Sequence, residues 1–257
     1  MLTVISPAKA LDFDTKPTTK KHSMPSFLDK SEQLITTLWK KSPANLSKLM
    51  GISDKLAELN RDRYRGWHLP FDTTNAKQAV LAFRGDVYLG LEAEKFSQWD
   101  FNFAQKHVRI LSGLHGLLKP LDLIQPYRLE MGTELKNRKG ADLYGFWGNL
   151  ITEVINEEIS RQPTEYLINL ASHEYFKVVN CGILRAKLIT PVFKDFTRGE
   201  YRVLSFVAKR ARGSMVSYIV KNRIDKAADI KGFDVNGYRF KKKLTTDDTW
   251  VFTRKKK

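Results

Sequence analysis

The stretch Leu46-Ser47-Lys48-Leu49-Met50-Gly51-Ile52-Ser53-Asp54-Lys55-Leu56-Ala57-Glu58-Leu59 carries the densest local signal in the chain. Leu46 and Leu49 stand three apart, an apolar pair for one helix face. Gly51 can take the backbone angles that a tight turn demands. Ile52 is placed to plug that turn, and Ser53 stands where a cap would open a second helix bearing Ala57 and Leu59. The free amides and positive dipole end of that helix would face outward as an anion site, with Lys48 and Lys55 beside them. The same pattern also fits a structural corner built from a glycine turn and a serine cap.

On the N-terminal side, Ser42-Pro43 reads as a cap with proline at the first helical position. Phe27–Lys40 has helical periodicity, with Leu34, Ile35 and Leu38 on one side. Met1–Ser6 reads as a short buried strand, and Asp12–Pro25 as a polar loop. The second helix of the hairpin runs from Ser53 to about Tyr64. Beyond Gly66, short apolar runs predict strands at Ala79–Phe83, Val108–Leu111, Tyr127–Met131 and Tyr166–Leu170. Helical stretches fall at Ser97–Lys106, Leu143–Ile159 and Ala208–Asn222. Leu188–Phe196 and Tyr201–Val207 read as a hairpin through Arg198-Gly199, and Tyr238–Phe240 and Thr249–Phe252 as last strands. With no repeat and no linker, the chain reads as α+β, or an irregular α/β: one compact domain over residues 1–257, a mixed sheet flanked by helices, and the hairpin at about 43–64.

Of the 257 residues, 42% are apolar and 11% aromatic, enough for a sizeable core without metal or disulfide staples. No apolar run approaches the length of a membrane span, and no basic flank with a long apolar core marks a secretory leader. Cys181 is alone, so no internal disulfide forms and a cytoplasmic address is expected. The five histidines show no metal-ligand spacing, which excludes structural zinc, and no cofactor is expected. There is no Gly-x-Ser-x-Gly elbow and no Gly-Lys-Ser/Thr phosphate loop. The tryptophans read as core packing more readily than as base-stacking platforms.

The charge is more telling. The net charge is +16, and Lys177–Lys257 holds 21 Lys+Arg against 7 Asp+Glu. Such asymmetry points to a polyanion, most simply nucleic acid, although a basic surface also serves solubility. A membrane surface fits less well, because the basic segments are strands and short helices. Several apolar strands also lead into polar residues: Ile5-Ser6 into Lys9, Leu111-Ser112 into His115, Asn169-Leu170 into Ser172, Glu174 and Lys177, and Leu204-Ser205 into Lys209, Arg210 and Arg212. Strand ends in mixed sheets form clefts, so Lys9, Arg128, Lys177, Lys209, Arg210 and Arg212 are candidates for one basic groove. The alternative is that the serines cap helices and that Arg128 and Glu130 pair with buried partners for structure. At 100° per residue, Lys209 and Arg212 share a face at the opening of a helix, where cations need an anion to answer them.

The Leu46–Leu59 stretch resembles the helix-hairpin-helix family of DNA-backbone binders. It departs from that family at Ser53, where glycine is preferred. On this likeness Lys48, Gly51, Ile52, Ser53 and Lys55 would contact phosphates. Glycosylases that carry the motif place a nucleophilic lysine at the position of Lys55 and an aspartate downstream, here Asp72, for Schiff-base chemistry. The remaining chain does not read as their all-helical fold.

A wider resemblance runs in order along nearly the whole chain. Ile5-Ser-Pro-Ala-Lys9, Leu49–Leu59, Phe83-Arg-Gly-Asp-Val-Tyr88 with Gly90-Leu91, and Leu111-Ser-Gly-Leu-His-Gly-Leu-Leu-Lys-Pro-Leu-Asp122 carry its first half. Gln125-Pro-Tyr-Arg-Leu-Glu-Met-Gly132, Ile168-Asn-Leu-Ala-Ser172 with Glu174-Tyr-Phe-Lys177, and Ala208-Lys-Arg-Ala-Arg-Gly213 carry the second. Together they resemble the bacterial YaaA family of peroxide-stress resistance proteins. The resemblance implies a family-specific α+β fold with a helix-hairpin-helix and a basic DNA-binding cleft. It also implies a cytosolic role in the hydrogen peroxide response, tied to low free iron and recombinational DNA repair. It brings no catalytic residues, and Arg254–Lys257 lies outside it. The expectation is a non-catalytic, largely sequence-independent binder of double-stranded or structured DNA. Two alternatives stand beside it: a lyase using Lys55, and an iron-handling protein using His115, His173, Glu174 and Cys181.

Overall fold

The apolar start of the chain becomes the centre of a sheet. In the computed structural model, which describes residues 1–255, eight strands form that sheet. They are β1 (Leu2–Ile5), β2 (Val108–Ser112), β3 (Gly116–Leu118), β4 (Tyr166–Asn169), β5 (Lys187–Thr197), β6 (Glu200–Arg202), β7 (Arg239–Phe240) and β8 (Thr249–Arg254). Their order is β7-β8-β5-β4-β1-β2-β3, with β6 paired to β5 as a hairpin. The five inner strands are parallel, and β3, β6 and β7 run antiparallel to their neighbours. Every residue of β1 and β2 is buried, as expected for parallel strands covered on both faces.

Seven longer helices frame the sheet: α1 (Leu28–Trp39), α2 (Pro43–Met50), α3 (Asp54–Gly66), α4 (Asp86–Leu91), α5 (Gln98–His107), α6 (Leu150–Ser160) and α7 (Ser205–Lys221). The architecture is α/β, with a mixed, mostly parallel sheet, and corrects the α+β reading in favour of its α/β alternative. The first crossover, residues 6–107, contains α1 to α5, so in sequence it resembles a separate helical region. Four local readings also change, the first being Tyr201–Val207, whose strand ends at Arg202 before α7 begins at Ser205. Ala79–Ala82 is a helical turn, because a short apolar run is compatible with either structure. Tyr127–Met131 joins no ladder, although its burial alternates. The long helix read over Leu143–Ile159 breaks at Gly148-Asn149.

Strand order decides where a site can lie. The chain leaves β1 for β2 on one side, then crosses to β4 on the other. The carboxyl ends of β1 and β4 therefore diverge, which is where a crevice opens in such sheets. Nearby, α4 and α7 touch backbone to backbone. A Cβ on Gly90 would lie 2.0 Å from the Arg210 carbonyl oxygen, and one on Gly213 would lie 1.7 Å from that of Val87. These two glycines let α7 lie in backbone contact with α4.

Candidate nucleic-acid interface

Helices α2 and α3 are joined by the turn that the sequence indicates. The Ser42 hydroxyl accepts from the Asn45 amide and caps α2. Gly51 adopts φ 60°, ψ 43°, and its amide donates to the Ser47 carbonyl. The Ser47 hydroxyl donates to the Ile52 carbonyl at 2.7 Å, and Ile52 is buried between the helices. Ser53 occupies the cap position of α3, but its hydroxyl makes no capping bond, contrary to expectation. The first amides of α3 are thus left without a side-chain partner beside exposed Lys48 and Lys55. Neither lysine has an ion pair among the described residues.

A second cluster gathers where β1 and β4 end. The Ser172 amide donates to the Ser6 hydroxyl at 2.8 Å, and the Tyr88 phenol donates to the Ser6 carbonyl at 3.2 Å. Ser112 and Tyr127 share a hydrogen bond of 2.6 Å. Glu130 lies between two of the predicted cations: Lys9 Nζ is 2.7 Å from Oε2, and Arg128 Nη2 is 3.0 Å from Oε1. Pro7, Phe83 and Tyr175 complete the walls of this narrow crevice. Arg128 and Glu130 pair with each other rather than with separate buried partners, and the largely exposed Lys9 joins them.

The crevice is continuous with the helix pair. The Tyr64 phenol of α3 donates to the Arg128 carbonyl, and burial pushes its pKa up, so the proton stays in place. Arg63, one residue earlier, is a site residue that the sequence does not single out. It is half-buried, bonds only Asn60 Oδ1 at 3.4 Å, and has no carboxylate partner among the described residues. Burial lowers its pKa, the Tyr64 phenol raises it and neighbouring Arg128 lowers it again. In the sequence, Arg61, Arg63 and Arg65 have only the look of cations answering a helix C-terminus.

The other predicted cations divide. The Lys177 ammonium lies 4.7 Å over the Tyr144 ring, in an open cavity of about 560 Å³ shared with His173 and Cys181. Lys209 and Arg210 are exposed on α7, and Arg210 borders a cavity of about 390 Å³ together with Arg84 and Tyr88. Arg212 turns inward, on the side of Ala208 and Met215, where burial lowers its pKa with no ion pair among the described residues. Lys209, three positions earlier on α7, is exposed, whereas Arg212 is half-buried. Neither Glu130 nor Glu174 answers it: Glu174 accepts from the Gly132 amide at 3.0 Å. Helix α7 also begins at Ser205, which places Lys209 beyond its first turn and removes the dipole argument. Arg254 is pinned to buried Asp195 at 2.6 Å and is structural, while the predicted tail positions Lys256 and Lys257 lie outside the described residues.

The lyase and iron-handling alternatives find no assembled site. The Asp72 carboxylate accepts from Thr74 and Asn75 and has no ion pair with Lys55. His115 is fully buried, with Nδ1 2.9 Å from Ser31 Oγ, and burial drives its pKa down to about 3. Among the described residues no group of three or more His, Cys, Asp or Glu is placed to hold a metal ion. No described helix is long and apolar enough to cross a membrane.

Fold and surface together define an α/β protein in which a hairpin-joined helix pair meets a charged strand-end crevice. A family model described as "Peroxide stress protein YaaA" matches residues 1–244. A UPF0246 protein of Teredinibacter turnerae is 53% identical over 255 residues, covering 99% of this chain and 100% of that protein. UPF0246 proteins of Cellvibrio japonicus and Ralstonia pickettii are each 52% identical, over 254 and 255 residues, with 98% and 99% of those proteins covered. The chain belongs to the peroxide stress protein YaaA family.

Proposed function

We propose that this protein binds duplex or structured DNA through the phosphate backbone, largely without regard to sequence, as its part in the peroxide stress response. The α2–α3 pair acts as a helix-hairpin-helix. The observation that carries this reading is the start of α3: uncapped amides, a left-handed Gly51 turn and two exposed lysines that lack ion pairs. A phosphate oxygen would satisfy those amides and the positive helix end together. Asp54 in the first turn opposes an anion there, and Lys48 and Lys55 offset it. Lys9, Arg63 and Arg128 outnumber Glu130 and extend the positive surface from the hairpin into the crevice. The excess of bases after Lys177 adds long-range attraction. The role is protective and non-catalytic, and limitation of free iron and support of recombinational repair belong to the same proposal.

The test is a salt titration. Equilibrium binding to several unrelated duplexes is measured between 50 and 200 mM salt. Neutralising roughly 6–10 phosphates lowers affinity on the order of 10³–10⁵ across that range. The expected result is this steep loss with little dependence on sequence. A flat salt response, or strong preference for one base sequence, overturns the reading.

A further inference from the structure

We infer that Val203, Leu204 and Phe206 form an apolar wedge that enters a base step of bound duplex DNA from the minor groove. The inference rests on the DNA reading above and adds to it a deformation of the duplex. In the link from β6 into the first turn of α7, these three large apolar side chains are 51%, 39% and 65% exposed. Single exposed apolar residues are ordinary, but three within four positions are not. The surrounding structure is otherwise well packed: Phe193, Phe233 and Phe252 of the same half of the chain are buried in contact with one another.

The chemistry around the patch selects its occupant. Phe206, Lys209 and Arg210 stand at i, i+3 and i+4 on α7, so they share one face, and all three are exposed. Lys209, Arg210 and the nearby hairpin residue Arg198 have no ion pairs among the described residues, and residues 203–212 contain no acid. A second copy of this chain docked on the same patch would bring these cations against their own equivalents. DNA answers both features, because phosphates take the cations while an opened base step takes the apolar side chains. Minor-groove binders insert such wedges and kink the duplex by roughly 20–90°. The mount is firm: α7 meets α4 at Gly90 and Gly213, and Phe196 packs on Tyr201 at 5.2 Å beneath the hairpin.

The experiment uses the full chain with a duplex of about 20–30 base pairs, end-labelled for energy transfer and carrying 2-aminopurine at internal steps. The parent protein should shorten the end-to-end distance and brighten 2-aminopurine. Phe206→Ala should abolish both signals and weaken binding roughly fivefold or more, the low end of aromatic–base stacking. Phe206→Trp should restore them, and circular dichroism checks that each variant folds. A parent that binds without bending, or a Phe206→Ala protein that bends like the parent, overturns the wedge alone. A concentration-dependent dimer that Phe206→Ala dissolves, with bending unchanged, assigns the patch to a second copy and also overturns it. Failure of the parent to bind any duplex at low salt overturns the underlying DNA reading.

Discussion

The Tyr64 phenol, near the end of α3, hydrogen-bonds the carbonyl of Arg128, whose guanidinium grips Glu130 in the strand-end crevice. That bond ties the C-terminal half of α3 to the loop that lies over the sheet end. Tyr64 is completely buried, so its proton has no alternative acceptor in solvent and the link persists through the physiological pH range.

Tyr64→Phe removes the bond with almost no change in shape. The expected cost is about 1 kcal/mol, with more if the Arg128 carbonyl finds no water. Amide exchange across residues 51–64 should quicken more than exchange in β1 or β2, because the loss is local. Unchanged exchange in the hairpin would show that other packing alone holds it to the sheet.

Glu130→Gln tests whether the crevice meets phosphate. Glu130 occupies both Lys9 and Arg128, and Lys9 is largely exposed. Removing one negative charge should strengthen DNA binding and steepen the slope of log affinity against log salt by about 0.9. The melting temperature should fall only slightly, since glutamine still accepts a hydrogen bond. A slope equal to the parent's would mark the Lys9–Glu130–Arg128 group as structural.

The hairpin contribution is separable from bulk charge. A Cβ on Gly51 would meet nothing within 4 Å, so a side chain there is resisted by the left-handed backbone and not by crowding. Gly51→Ala should cost about 1–2 kcal/mol and loosen the turn. Lys55→Ala should leave stability alone and reduce the salt slope by about 0.9. If the lysine variant binds and responds to salt like the parent, the helix pair is a structural corner.

How far the sequence can be read depends on how local each signal is. The buried run at Leu2–Ile5, the Ser42-Pro43 start and the Gly51 turn depend on neighbouring residues, and all appear as expected. The alternation at Tyr127–Met131 mimics a strand, but it arises from a loop laid over the sheet end, with Tyr127 bonded to Ser112. The choice of α/β over α+β is hidden because parallel pairing of β1 with β2 is settled by residues more than a hundred positions apart. Within the site, Lys9 and Arg128 can be nominated from strand ends, but their meeting at Glu130 cannot. The inward turn of Arg212 and the approach of Arg63 to Arg128 are likewise tertiary facts without a local signature.

Two buried titratable groups give the fold opposite pH responses. Asp122 is 1% exposed and accepts from the Ser23 hydroxyl at 2.6 Å and the Lys119 amide at 2.8 Å, yet burial outweighs both and pushes its pKa up to about 6. In the unfolded chain it titrates near 3.9. Between these values the folded state binds more protons, so this contribution to stability falls as pH rises through about 4 to 6. His115 behaves the other way: its folded pKa is about 3 against about 6.5 unfolded, so its contribution falls as pH drops through that window. Asp122→Asn should therefore gain on the parent at pH 7.5, on the order of 2–3 kcal/mol before any loss of hydrogen bonding, and gain little at pH 4. His115→Phe, which leaves Ser31 bonded to the Phe27 carbonyl, should gain on the parent at pH 4 relative to pH 7.5. Urea unfolding of the three proteins at each pH gives the differences directly. Variant curves that run parallel to the parent across pH 4–7.5 would show that neither burial governs the acid and alkaline limits of this fold.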